Sequence, residues 1–322
     1  MKTLNLKNPK LSDHFDGKKF FNPTRTIQKS FKDLLKWRRS RKPKPWPQKF
    51  HHKPIQLPQT VTQGLAMTYI NHDTFLIQTP THNILTDPIL SKRASPLSFA
   101  GPHRVRPPAM YYKDLPTIHA VLVSHNHYDH MDLETLKTLD HLFHPIFIVP
   151  LRNAHFLHSK KIKHVIELDW WENFALDMLQ VTLTPAQHWS ARGLRDRNHS
   201  LWGSFWIQDS SHSLYHAGDT GYGAHFKEIH KRLGSPSVSL LPIGAYEPRW
   251  FMQDQHMNPE DAVRAHLDLK SKLSLGMHYG TFQLTDEGYD DPIDDLQKAL
   301  IQLDVNPVFF KVPDFGETIY IG

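Results

Sequence analysis

Residues 120–130 constrain this chain more than any other stretch: the apolar run Ala120-Val-Leu-Val123 leads, through Ser124, into His125-Asn-His-Tyr-Asp-His130. The run reads as a buried strand, and the loop leaving it carries three imidazoles and a carboxylate within six positions. Zinc takes neutral imidazole nitrogen and carboxylate oxygen, and a loop leaving a rigid strand can aim alternate side chains at one point. Four ligand-type residues exceed one structural shell, so the pattern predicts two metals. With 24 histidines and 24 aspartates in 322 residues, four specified positions match by chance about once in a hundred such chains, which makes a site the better account.

Elsewhere, apolar β-rich runs alternate with helical periodicities. Strands are expected near 65–70, 74–78, 83–86, 118–123, 146–149, 179–184, 201–207, 213–216, 238–242 and 273–277. Helices are expected near 132–140, 151–158, 223–233, 259–269 and 292–302. Strands that are closely spaced at first and then alternate with helices predict a layered α/β protein with two sheets between helices. Four more ligand-type residues stand where such strands end: Asp87 after Asn83-Ile-Leu-Thr86, His188 after Val181-Thr-Leu-Thr-Pro-Ala-Gln187, Asp219 after Ser213-Leu-Tyr-His-Ala-Gly218, and His278 after Leu273-Ser-Leu-Gly-Met277. A lone histidine is usually a core or surface residue. Strand ends converge on one edge of the sheets, so the ordered set points to a site.

The chain is long enough for one large domain or two ordinary ones, and 39% hydrophobic residues with 11% aromatics supply a core. No apolar run reaches the length of a membrane span, and the polar start Met1-Lys-Thr-Leu-Asn-Leu-Lys7 lacks a secretory signal's apolar stretch, so a cytoplasmic location is expected. The absence of cysteine removes disulfides, cysteine nucleophiles and thiolate zinc sites together. Charge is uneven: residues 1–58 hold 16 Lys and Arg against 3 acidic residues, and the remainder 22 against 29. This divides the chain into a basic arm, 1–58, and a catalytic domain, 59–322. In the arm, Ile27, Phe31, Leu34 and Leu35 recur at helical spacing among Lys29, Lys32 and Lys36, predicting a short amphipathic helix. The charged, proline-rich Arg38-Arg-Ser-Arg-Lys-Pro-Lys-Pro-Trp-Pro47 predicts an extended connector. A basic extension on an acidic body suits an anionic surface; a solubilising arm, or one packed on its own core, is the alternative.

The order Asp87, His125-x-His-x-Asp-His130, His188, Asp219, His278 resembles the five motifs of the metallo-β-lactamase superfamily. Longer blocks resemble the N-acyl-phosphatidylethanolamine-hydrolysing phospholipase D family: Phe99-Ala-Gly-Pro-His-Arg-Val-Arg-Pro-Pro108, Ala217-Gly-Asp-Thr-Gly-Tyr222, Pro242-Ile-Gly-Ala-Tyr-Glu-Pro-Arg-Trp-Phe-Met252 and His278-Tyr-Gly-Thr-Phe282. His14-Phe-Asp-Gly-Lys-Lys-Phe-Phe-Asn-Pro23 resembles its bacterial members, so the likeness covers residues 14–322. The resemblance implies an αββα sandwich and two zinc ions per chain, with His125, His127 and His188 on one, Asp129, His130 and His278 on the other, and Asp219 bridging. Asp87 would orient a ligand from behind. Asp129, Asp219 and His256 would carry the catalysis, His256 contacting the phosphate or protonating the leaving alkoxide. Arg249 and Tyr279 are the candidates for substrate contact, with Lys92, Arg93, Arg104 and Arg106 as further cations. The implied substrate is a phospholipid, N-acyl-phosphatidylethanolamine, met at an anionic membrane to which the protein binds peripherally. The chain departs from the family pattern at Asp73, after His72, and at Ala191 and Gly193.

Spacing alone supports metal-assisted hydrolysis, and related sites open lactones, thioesters, β-lactams or RNA. A hydrolase of nucleic-acid phosphodiesters or lactones, and a non-catalytic membrane-anchored metal-binding module, stand as alternatives. RNA-recognition signatures are missing, so no nucleic-acid partner is expected; the sequence leaves oligomerisation open.

Overall fold

The computed structural model describes residues 9–27, 29–48, 50 and 60–322. Among them, fourteen strands pair into two sheets of seven. The first sheet takes β1 (Leu65–Asn71), β2 (Thr74–Gln78), β3 (Asn83–Thr86), β4 (Ala120–Leu122), β5 (Ile146–Pro150) and β6 (Val165–Leu168) in chain order. The second takes β7 (Asn173–Leu176), β8 (Leu179–Thr184), β9 (Ser204–Gln208), β10 (Ser213–His216), β11 (Val238–Pro242), β12 (Ser274–Met277) and β13 (Phe310–Lys311). The last strand, β14 (Thr318–Ile321), returns to the first sheet beside β1.

Each sheet is antiparallel at one end and parallel at the other, β3 to β6 and β10 to β13 being the parallel halves. Parallel neighbours need long crossovers, and most of these contain helices. The helices are α1 (Phe31–Ser40) in the arm, α2 (Leu133–Phe143), α3 (Ala154–Ser159), α4 (His225–Leu233), the one-turn α5 (Arg249–Met252), α6 (Pro259–Leu269) and α7 (Asp291–Gln302).

Alternation along β4 and β5 shows why both read as continuous apolar runs. Ala120, Leu122 and Ile148 join the core between the sheets, whereas Val121, Val123, Phe147 and Val149 join a second core with Leu136, Leu139 and Leu157 of α2 and α3. On the far side α6 packs on β11 and against α4 and α7. The layers are therefore helices, sheet, sheet, helices: the expected αββα sandwich. Helix α6 starts at the expected residue because Asn258 and Asp261 cap each other's backbone N–H. Four strands were not expected, β6, β7, β13 and β14, and they are the four edges of the two sheets.

The described part of the arm lies on the body. Phe15 and Phe20 belong to the main core, and Ile27 is buried in extended chain ahead of α1. The helix begins later than the Ile27 periodicity suggests because Ser30 and Asp33 form a capping box, and it runs to Ser40, so the extended connector starts at 41 rather than 38. Trp37 stacks on Phe251 at 5.0 Å, Lys36 lies 4.7 Å over Trp250, and Leu34 is exposed. The basic segment's end, 51–58, lies outside the described residues. No helix among the described residues is long and apolar enough to cross a membrane.

Candidate metal centre

One edge of the sandwich gathers the predicted ligands. His125 to His130 follow β4, Asp87 follows β3, and His188, Asp219 and His278 follow β8, β10 and β12. The backbone N–H of His278 donates to the carbonyl of His72 in the β1–β2 turn (2.9 Å), which ties the two sheets together there. Gly218 sits at φ +57°, and a Cβ on it would lie 2.6 Å from the Ser124 side chain. Only glycine lets the Asp219 loop descend this far onto the metal-binding loop.

The ligand atoms of His125, His127, His188 and Asp219 all lie within 4.8 Å of one another, as do those of Asp129, His130, His278 and His72. In the first cluster His127 Nδ1 is 2.7 Å from His125 Nε2 and 3.3 Å from His188 Nε2. In the second, Asp129 Oδ2 lies 3.6 Å from the Nε2 atoms of both His130 and His278, and 3.2 Å from His72 Nε2. Asp219 reaches both clusters: Oδ2 is 3.6 Å from His188 Nε2 and 3.3 Å from His130 Nε2, and Oδ1 is 3.0 Å from His278 Nε2.

Hydrogen bonds behind the ligands set their tautomers. Asp87, fully buried, accepts from the Ser124 N–H (2.7 Å) and hydroxyl (2.6 Å) and from His130 Nδ1 (2.8 Å). A carboxylate only accepts, so the Ser124 hydroxyl spends its proton on Asp87 and in turn accepts from His125 Nδ1 at 2.9 Å. His188 Nδ1 donates to the Gln255 carbonyl at 2.9 Å. His125 and His188 thus each present a bare Nε2 to the site, and His130, its Nδ1 committed to Asp87, turns Nε2 there as well. Bare lone pairs converging on a carboxylate repel unless cations sit among them, and Nε2 of His130 and His278 and Oδ1 of Asp219 are buried without a hydrogen-bond partner. Imidazoles and carboxylates with no thiolate suit a pair of divalent cations.

Electrostatics divide the clusters. Burial and neighbouring imidazoles hold His125 and His188 well below the usual histidine range, and burial brings His127 down to about 4. Burial also acts against charge on His130 and His278, but Asp219 with Asp129 at the one and with Asp73 at the other outweighs it and holds both well above that range. Asp219 and Asp129 are held well below the usual carboxylate range, because His278 and His130 at the first and His130 at the second outweigh their burial. A cation entering the second cluster therefore competes with protons for His130 and His278.

The remaining candidates fall into place differently. His256 follows α5 at the mouth of the site, its Nδ1 3.8 Å from Asp219 Oδ2. Burial lowers its pKa to about 4, so the ring is neutral with a single N–H, which suits hydrogen bonding to a phosphate better than the acid role also expected for it. Arg249 is not free for substrate either, since its guanidinium pairs with Asp261 (2.6 Å) and donates to the His256 carbonyl (2.9 Å). Tyr279 points into the core, its hydroxyl donating to the Pro313 carbonyl (2.7 Å), and is withdrawn as a substrate contact. Arg93 and Arg104 bond backbone carbonyls, and Arg106 pairs with Asp314.

A groove of about 910 Å³ runs beside the metal-binding loop, past Asn126, Tyr128 and Met131, with Lys92, Lys160 and Arg192 and the acidic Asp132, Glu134 and Asp196 among apolar side chains. Sequence reasoning missed His72, whose position just past the 65–70 run obeys the same strand-end rule. It also missed Arg192, which donates to the carbonyls of Asn126 and Met131 (both 2.9 Å) and braces the loop, and Asp73. Asp73 lies fully buried 3.5 Å from His130 Nδ1, and burial raises it to about 7.

An αββα sandwich with paired histidine and aspartate clusters at one sheet edge defines a metal-dependent hydrolase of the metallo-β-lactamase fold. Residues 82–279 match the Beta-lactamase superfamily domain, and the chain belongs to that family and, within it, to the N-acyl-phosphatidylethanolamine-hydrolysing phospholipases D. It is 38% identical over 267 residues to the Caenorhabditis elegans N-acyl-phosphatidylethanolamine-hydrolyzing phospholipase D 1, covering 79% of this chain and 75% of that protein. The mitochondrial enzyme of the same name from Saccharomyces cerevisiae is 37% identical over 221 residues, 66% of this chain but 47% of the yeast protein, so the match spans about half the yeast chain. Among solved structures, the metallo hydrolase Igni18 of the archaeon Ignicoccus hospitalis aligns over 81% of this chain and 99% of its own, with a TM-score of 0.62 at 24% identity, a likeness of fold.

Proposed function

We propose that this protein is a zinc-dependent phosphodiesterase of phospholipase D type that hydrolyses N-acyl-phosphatidylethanolamine to N-acylethanolamine and phosphatidic acid. The observation that carries this reading is one carboxylate, Asp219, reaching two histidine clusters as a bridge between two cations would, beside a groove of mixed apolar and charged lining. His125, His127 and His188 would hold one zinc, Asp129, His130 and His278 the other, and Asp219 both. Two such ions, when bound, supply Lewis acidity at a phosphoryl oxygen and acidify water.

The chain's own residues do the rest. Asp87 keeps a proton on Nδ1 of His130 directly and of His125 through Ser124, so both Nε2 atoms stay available. His72 Nε2 holds Asp129 Oδ2 at 3.2 Å, and His256, neutral at the mouth, donates a hydrogen bond to a phosphoryl oxygen. Lys92 and Lys160 in the groove draw the phosphate in by charge. The names of the worm and yeast relatives support the choice of lipid.

The division into an arm, 1–58, and a catalytic domain, 59–322, enters as part of the same reading. Lys32, Lys36, Arg38 and Arg39 are exposed on α1 next to exposed Leu34 and Trp250. Each such cation near an anionic bilayer contributes about 1 kcal/mol. Because Trp37 docks α1 on Phe251, this basic face meets the membrane as part of the body rather than as a loose tether. The test is zinc-loaded protein given N-acyl-phosphatidylethanolamine in mixed micelles, with release of phosphatidic acid and acylethanolamine expected and stopped by chelator. Protein that ignores this lipid yet cleaves RNA or a simple lactone efficiently would sink the substrate assignment and leave the metal centre standing.

A further inference from the structure

We propose that Asn22, in the N-terminal arm, is a positioning residue of the metal centre that acts by holding the backbone of His188. This rests on the reading of His188 as a ligand. His188 stands four residues beyond the end of β8, so no strand ladder pairs its peptide groups. Buried peptide groups need partners, and Asn22 supplies both. Its Nδ2 donates to the His188 carbonyl at 2.8 Å, and its Oδ1 accepts the His188 N–H at 3.3 Å. Both side chains are buried, Asn22 at 6% exposure and His188 at 1%.

The arm is fastened on either side of this contact. Upstream, His14 Nε2 bonds Asp169 at 2.8 Å, the ring stacks on Trp170 at 4.4 Å, and the Phe20 N–H donates to the Asn198 carbonyl at 2.8 Å. Downstream, Gln187 Nε2 donates to the Arg25 carbonyl at 2.7 Å, and Lys29 pairs with Asp254 at 2.9 Å. Pro23 restricts Asn22 to extended backbone, which narrows its freedom further. A primary amide holds a donor and an acceptor on one rigid carbon, so Asn22 can pair the C=O and N–H of a single residue at once. Asn22 thereby sets the height of the His188 backbone, while the bond from His188 Nδ1 to the Gln255 carbonyl sets the ring's rotation. The arm is then a wall of the metal pocket, and the residues recruited to it lie more than 160 positions away in the chain.

Asn22→Ala in the full-length protein, measured for the zinc affinity of each site by chelator competition, tests this. Partners behind a metal ligand are worth about 10–100-fold in affinity, so one of the two sites is expected to weaken by that factor while the other stays within about twofold. The Asn22→Ala/His188→Ala double variant is expected to bind at the affected site no more weakly than His188→Ala alone, because Asn22 acts through that residue. Should the alanine variant fail to fold, Asn22→Ser, smaller and polar, is put through the same measurements. Two unchanged affinities would overturn the proposal, as would equal weakening of both sites with a lowered melting temperature of the metal-free protein, or additive losses in the double variant. Wild-type protein that binds no zinc would overturn the ligand reading itself, and the proposal with it.

Discussion

Replacing Asp87 with asparagine keeps the shape of the side chain and changes only which of its atoms accept. The residue sits at φ +34°, near the left-handed region that asparagine also tolerates, so the backbone has no reason to move. Asparagine has one accepting oxygen where the site needs two. If that oxygen keeps the Ser124 N–H, the amide NH2 faces the Ser124 hydroxyl and His130 Nδ1, both of which donate in the native protein. The hydroxyl then turns its proton towards His125 Nδ1, and the proton of each imidazole moves to Nε2, facing the metals. The opposite orientation sets NH2 against a backbone N–H and leaves that buried donor unpaired, at about 1–3 kcal/mol. The first orientation, which sets no donor against the buried N–H, therefore prevails, and it hurts both clusters because one carboxylate controls a histidine in each. Zinc affinity should fall by about 10–100-fold at both sites, which is about 1.4–2.8 kcal/mol apiece. Chelator competition with purified Asp87→Asn reads the two affinities, and excess zinc should restore much of the lost hydrolysis. Two affinities within about twofold of wild type in a folded variant would refute the reasoning from tautomers.

Elemental analysis of protein prepared without chelator should find about two divalent ions per chain, and full activity at a single equivalent would contradict the paired centre. Asp219→Asn removes negative charge from between two cation positions, so turnover should drop by more than about 100-fold with zinc affinity weakened at both. His256→Ala should keep both metals and lose turnover by about 10²–10³-fold; metal loss would mark it as structural or as a ligand. His14 yields a pH dependence: burial lowers its pKa, but its bonds to Asp169 and Asp13 outweigh that and raise it above 6.5. A raised folded value means stabilisation present in full below the unfolded pKa and lost as pH climbs through the folded one. The gap in urea midpoint between wild type and His14→Gln should therefore be wider near about pH 6 than near about pH 9, and a gap that widens instead would reverse the assignment.

The four strands absent from the sequence reading share a physical reason. β6, β7, β13 and β14 each pair on one side only, and β7 and β14 show mostly half-buried or exposed positions, so the apolar run that marks a central strand is missing. Inner strands such as β4, buried on both faces, were plain. The amphipathic periodicity of the arm was legible too, yet not what it packs on: Trp37 found Phe251, and Phe15 and Phe20 entered a core formed almost entirely by later residues.

The same division runs through the site. Candidate ligands were legible because residue type and a place at a strand end are local properties, and His72 was there to be found by that rule. The directions of Arg249 and Tyr279, the neutrality of His256 and the bonds from Asn22 to His188 were not, since each depends on which distant segment closes over the side chain. Sequence determined the chemistry offered at one edge of two sheets, while tautomer, charge and reach were decided only when chain 166 residues away folded against it, because burial and hydrogen-bond partners exist only in three dimensions.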